Sequence, residues 1–288
     1  MMLRTAWLWL WLLAQAGSAA PDGWTVQTNG LCHFILCNYA LPPAQEQVFD
    51  EVVADLLHRH EELFGFHSSA NFHIRIQLFG RQEDFQQYAS TNGVSEFAGA
   101  GGYYSPRDKQ VNLWLPPEKS LLATVVLHEC SHAIMDAHYA HQPIWLAEGC
   151  ADYFSFPRNM EGAMQDWWLK HRWGQLNQWL KDGSLPHPDA FLNISHRDFL
   201  KLDPNRAYPV SWSLFQFLMS TPEKRLILNQ MLDRYQTQPG SCAKSLDSLY
   251  PGGLAQFETD WHEWIRLPFK TPFAPPPTRN EPEGFSNR

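Results

Sequence analysis

Positive charge is scarce in this chain. Its 288 residues hold 22 Lys and Arg against 30 Asp and Glu, a formal net charge of −8, and that balance argues against a nucleic-acid binder, which would show a basic face. Also missing is a membrane-spanning run. The apolar stretch Thr5 to Ala14 (TAWLWLWLLA) stops well short of the ~20 residues needed to cross a bilayer. With Arg4 before it, and Ser18 and Ala20 at the −3 and −1 positions of a cleavage site, residues 1–20 read as a secretory signal peptide. The mature chain is then expected to begin near Pro21, to be secreted or periplasmic, and to keep no stable membrane anchor. Cysteine is sparse and odd in number, with five in all, so in an oxidising compartment at least one thiol is left over or pairs between chains. Cys32 and Cys37 are close enough in sequence for a local bridge across a turn, while Cys130 and Cys150 fall in the two segments that carry the chemistry below. There is no internal repeat.

What the chain does have is apolar content. At 44% hydrophobic and 14% aromatic residues it can bury the core of one large domain or of two packed lobes. WTVQTNG, from Trp24 to Gly30, alternates like a strand, and Pro43 to Phe64 carries Val48, Val52, Leu56 and Leu63 at helical spacing. NFHIRIQLFG sets Phe72, Ile74, Ile76 and Leu78 on one face and His73, Arg75 and Gln77 on the other, which predicts a half-buried strand. RQEDFQQYAS reads as a short helix. Two short β runs then flank a turn at Ser105 to Lys109, the second ended by Pro116 and Pro117.

Glu118 to about His138 is helical and apolar nearly all round, and after the break at Gln142 and Pro143 IWLAEGCADYF starts another helix. Helical segments follow at Gly162 to Leu180, Ser211 to Met219, Pro222 to Tyr235 and Leu254 to Arg266. Strands with few helices first, and helices afterwards, predict an α+β fold. The expected division is an N-terminal lobe over 21–158 with a small mixed sheet, a helical lobe over 159–267, and a disordered Pro-rich tail over 268–288.

Residues 128 to 132 read HECSH. Composition alone predicts roughly 0.03 chance matches to HExxH in a chain like this. On a helix, residues four apart share a face, so His128 and His132 can reach one Zn²⁺ while Glu129 stands beside its open position as a general base. Catalytic zinc takes three protein ligands and leaves the fourth place for water. His138 has the spacing of HExxHxxGxxH, but that pattern needs a glycine where this chain has Met135, and a continued helix carries His138 away.

HECSH followed by PIWLAEGCADYF resembles the gluzincin metallopeptidases of the peptidase MA-like superfamily. Trp145, Glu148, Gly149, Ala151 and Tyr153 match the context of the family's third ligand. The resemblance implies a zincin-like fold, one Zn²⁺ per chain, Glu148 as the third ligand, and Asp152 as the acid that orients a zinc-bound His. It also implies a peptide or protein substrate laid along an edge strand. The Gly101 to Trp114 hairpin, with Gly101, Gly102, Tyr103 and Tyr104, has the right place for that strand. Tyr208, in RAYPVSWSLFQFL, is similar in placement to the oxyanion donor of aminopeptidase-like members; His187 and His196 are its rivals. The expected reaction is amide hydrolysis by a water that Glu129 deprotonates. A zincin-fold binding module without turnover, or a zinc amidase acting on cell-wall peptides, is the alternative.

Overall fold

The computed structural model describes residues 24–28, 30–115, 119–156 and 163–269. The expected signal peptide, Pro116 and Pro117, the expected helix starts at Glu118 and Gly162, the expected boundary after residue 158, and the tail from residue 270 lie outside the described residues. The fold is α+β, with a five-stranded mixed sheet followed by a helical C-terminal part.

The strands are β1 (Trp24–Thr28), β2 (Cys32–Cys37), β3 (Ile74–Phe79), β4 (Gly102–Ser105) and β5 (Gln110–Trp114), in the order β1-β2-β3-β5-β4. The three central strands are parallel, and β1 and β4 run antiparallel at the two edges. A parallel neighbour needs a crossover. Helix α1 (Pro43–Phe64) supplies the one from β2 to β3, and α2 (Gln82–Thr91) lies between β3 and the β4–β5 hairpin.

The two faces of the sheet are covered differently. Phe34, Leu36, Ile74, Ile76, Leu78, Val111 and Leu113 join the main core, while Phe79 joins Cys37, Phe85, Ala89 and Tyr103 under α2. Because α2 closes this second face, β3 is not half-buried as its alternation predicts. Gln77 is 1% exposed, its amide oxygen accepts from Gln110, and Gln110 donates in turn to Asn112. The Gln77 oxygen thus takes its hydrogen bond within the protein, while its amide nitrogen is buried with no hydrogen-bond partner among the described residues.

Two further expectations are corrected. The buried stripe of α1 is Phe49, Val53, Leu56, His60 and Phe64, whereas Val48 is exposed. A local Cys32–Cys37 bridge is ruled out because both residues belong to β2. Five residues of strand separate their Cα atoms by about 16 Å, against a limit of about 7 Å for a disulfide, and they serve opposite faces. All five cysteines are buried free thiols.

The motif lies on α3 (Lys119–His138), which returns through a short turn into α4 (Ile144–Phe154). Then come α5 (Ala163–Lys181), α6 (Pro188–Leu192), α7 (His196–Phe199), α8 (Pro204–Leu218), α9 (Pro222–Thr237), α10 (Cys242–Leu249) and α11 (Gly253–Arg266). Helices α6, α7 and α10 are too short for periodicity to reveal. Helix α8 starts seven residues before the sequence-based expectation of Ser211: Asp203 caps it by accepting from the Asn205 N–H, Pro204 opens it, and Pro209 inside it reads from sequence as a breaker. One continuous buried cluster joins sheet, α3, α4 and the C-terminal helices from Cys32 to Ile265.

Helix α8 crosses α4 at Gly149, beside Glu148. A Cβ added there would lie 2.4 Å from the Ser211 carbonyl oxygen, which is backbone and cannot swing away. Gly149→Ala is therefore expected to destabilise the protein by about 1–3 kcal/mol, read as a lower denaturation midpoint; an unchanged midpoint would contradict the close crossing.

Candidate metal centre

Helix α3 presents His128 and His132 one turn apart, and the antiparallel α4 brings Glu148 to face them. The two Nε2 atoms are 3.2 Å apart, and Glu148 Oε2 lies 3.3 Å from His128 Nε2 and 3.6 Å from His132 Nε2. One atom from each residue falls within 4.8 Å of the others, a group that can hold a metal ion. Glu148 Oε2 is buried and has no hydrogen-bond partner. A carboxylate oxygen cut off from water and turned toward two imidazole nitrogens fits coordination to a cation.

The other side of His128 is fixed. Its Nδ1 lies 3.2 Å from Asp152 Oδ1 and 3.4 Å from Ser155 Oγ, whose own proton goes to the Ala151 carbonyl. Both neighbours can only accept at those positions, so Nδ1 carries the proton and Nε2 is the nitrogen that faces Glu148 and His132. Asp152 Oδ2 in turn accepts from Arg172 Nη1 at 2.5 Å, and the guanidinium carbon sits 3.5 Å over the Trp168 ring.

Charge tells the same story. Burial lowers the basicity of His128, but the carboxylates of Asp152 and Glu148 beside it more than offset this and raise its pKa well above the usual value. Burial works the other way on Glu148, yet attraction to His132 and to His128 beside it holds its carboxyl well below the usual range. The carboxylates that favour a positive charge on His128 favour a cation in its place. Glu129, Glu148 and Asp152 bring three carboxylates into a largely buried group, and Arg172 brings one guanidinium. With His128 and His132 neutral, as metal ligands must be, two negative charges are left over, which one divalent ion would neutralise.

Glu129 is buried beside this group. Burial raises its pKa, the two imidazoles oppose the rise, the Glu148 charge adds to it, and the Tyr104 backbone N–H bonds its carboxylate. Tyr208 comes from α8, with its ring 6.3 Å from that of His128. Burial, then the charges of Glu148, Asp152 and Glu129, push its phenol strongly up, so the hydroxyl keeps its proton and can donate it.

A cleft of about 950 Å³ opens over these residues. Gly102, Tyr103, Tyr104 and Ser105, the whole of β4, line it with Arg107, His128, Glu129, His132, Glu148, Leu200 and Tyr208. The free edge of β4 therefore borders the metal group. Gly101 does not line the cleft: a Cβ there would stand 2.9 Å from Val125 of α3, and one at Gly102 would stand 2.8 Å from the Asn112 carbonyl. These glycines let the hairpin lie against the motif helix. The hairpin is held there by Asp136, which accepts from the Tyr104 hydroxyl at 2.5 Å and pairs with Lys109 at 2.5 Å.

The rival residues lie elsewhere or at the margin. His138 stacks on Phe66 with ring centroids 3.7 Å apart and bonds Ser68 at 2.9 Å. His187 is exposed and pairs with Glu258, and His196 is an exposed residue of the cleft lining. The contributions that sequence reasoning misses are Arg172, Ser155 and Asp136. Only Arg172 leaves a trace in the sequence, a Trp four residues before it, the spacing at which a helix can seat a guanidinium on a ring.

Among known proteins, no family model matches the chain and no curated sequence is significantly similar to it. No helix of the described residues is long and apolar enough to cross a membrane.

Proposed function

We propose that this chain is a secreted or periplasmic zinc-dependent peptidase with a zincin-like fold of the gluzincin type. The observation that carries the reading is the convergence of His128, His132 and the unpartnered Glu148 Oε2 beside Glu129, at the floor of a cleft bordered by a free sheet edge. Two imidazoles and one carboxylate are a donor set that suits zinc, whereas calcium and magnesium prefer oxygen alone. When bound there, Zn²⁺ supplies Lewis acidity that brings water toward ionisation near neutral pH and polarises a carbonyl.

The chain's own residues account for the remaining steps. A peptide pairing with the free edge of β4 lies extended in fixed register beside His128 and His132. Glu129 takes the proton from the attacking water and delivers it to the leaving amine, a role that its raised pKa suits. Tyr208 donates its hydroxyl proton in a hydrogen bond to the oxyanion that develops. Asp152 and Ser155 keep His128 in one tautomer and one orientation.

The test is cleavage of an unstructured protein substrate, which should cease with a chelator and return with added Zn²⁺. Chelator-insensitive cleavage would refute the zinc dependence. Tyr208→Phe is expected to lower kcat about 10²-fold with little change in KM; a KM effect alone would make Tyr208 a packing or binding residue.

A further inference from the structure

The cluster behind the metal group holds one residue that neither the HECSH motif nor the Glu148 helix supplies. Arg172 reaches in from α5, and its side chain is only 13% exposed. Two contacts define its position. One face of the guanidinium lies 3.5 Å from the Trp168 ring, and Nη1 donates to Asp152 Oδ2 at 2.5 Å. Asp152 thus divides its oxygens, Oδ2 to Arg172 and Oδ1 to His128 Nδ1 at 3.2 Å. Neither oxygen is left to swing, so the ring plane of His128 follows from where Arg172 sits. That plane is what turns Nε2 toward Glu148 and His132.

We propose that Arg172 is a positioning residue of the metal site, acting on metal binding through Asp152 and His128 without touching the ion. The inference rests on the metal reading above. A planar, permanently charged guanidinium suits the task, because it can stack on an indole and donate in its own plane at once. An ammonium supplies the charge without the plane.

The experiment is titration of the full mature chain with Zn²⁺, and with Co²⁺ for its visible spectrum, alongside Arg172→Met, Arg172→Lys, Asp152→Asn and the Arg172→Met/Asp152→Asn double variant. Loss of an outer partner of a ligating His typically weakens metal binding ~10–100-fold. Arg172→Met and Asp152→Asn should each show a loss of that size, Arg172→Lys should recover most of it, and the double variant should bind no more weakly than Asp152→Asn alone. A folded Arg172→Met with native Zn²⁺ affinity and only a lower melting temperature would make Arg172 a structural residue and overturn the proposal. So would losses that multiply in the double variant, because they would show a route that bypasses Asp152. Should Arg172→Met not fold, Arg172→Gln, neutral and planar, carries the same comparison. Failure of the native chain itself to bind Zn²⁺ or Co²⁺ would sink the metal reading instead, so the two failures are distinct.

Discussion

Replacing Glu129 with Gln is expected to lower kcat on a peptide substrate by about 10²–10⁴-fold, the range supplied by a positioned general base, while zinc stays bound. The amide has nearly the shape of the carboxylate but cannot take a proton from water. The three ligand atoms that converge belong to His128, His132 and Glu148, so the change leaves the metal group intact. It also removes one of three carboxylates from a buried cluster in which Glu148 repels Glu129, so the variant should be no less stable than the native protein. Paired kinetics and metal analysis decide the point. Native turnover in Glu129→Gln would end the assignment of Glu129 as base, and loss of zinc would make Glu129 a ligand.

Stripping the metal is expected to cost stability as well as activity. The three carboxylates of the centre face one guanidinium, and a divalent ion bound only by the folded state stabilises it by about 4 kcal/mol at a free concentration 1,000 times its Kd. Thermal unfolding with excess Zn²⁺ and with excess chelator should therefore differ by several degrees. In His132→Ala the same comparison should give coincident transitions. A native melting temperature that ignores the chelator would mean that the buried charges are balanced in some other way.

The centre was partly legible in the sequence because its geometry is local. His128 and His132 need only one turn of helix to share a face, and Asp152 stands one turn beyond Glu148. The antiparallel return of α4 follows from a break at Gln142 and Pro143 and a short turn. Arg172 is different. It lies on another helix, and only the packing of α5 on α8 and α11 brings it to Asp152. The same distinction runs through the fold. Helix α1 was evident in extent, but not in its buried face, because Val48 and Phe49 both fit an apolar period and the choice belongs to the sheet beneath. Strand β2 was hidden behind two cysteines that invite a bridge. His60 shows what a one-dimensional reading loses. It is fully buried, hydrogen-bonded to the Leu56 carbonyl at 2.8 Å and to Ser131 of the HECSH motif at 2.9 Å, and so fastens α1 to the back of the motif helix. Burial, opposed in part by the Leu56 bond, lowers its pKa to about 3, which leaves the ring neutral in that contact.

Metal analysis of the purified chain, beside His132→Ala prepared in the same way, tests the central claim most directly. The proposed zinc reading predicts one zinc per native chain after dialysis and little or none in the variant. A native chain that retains no metal, or a His132→Ala variant that retains as much zinc as the native chain, would contradict it.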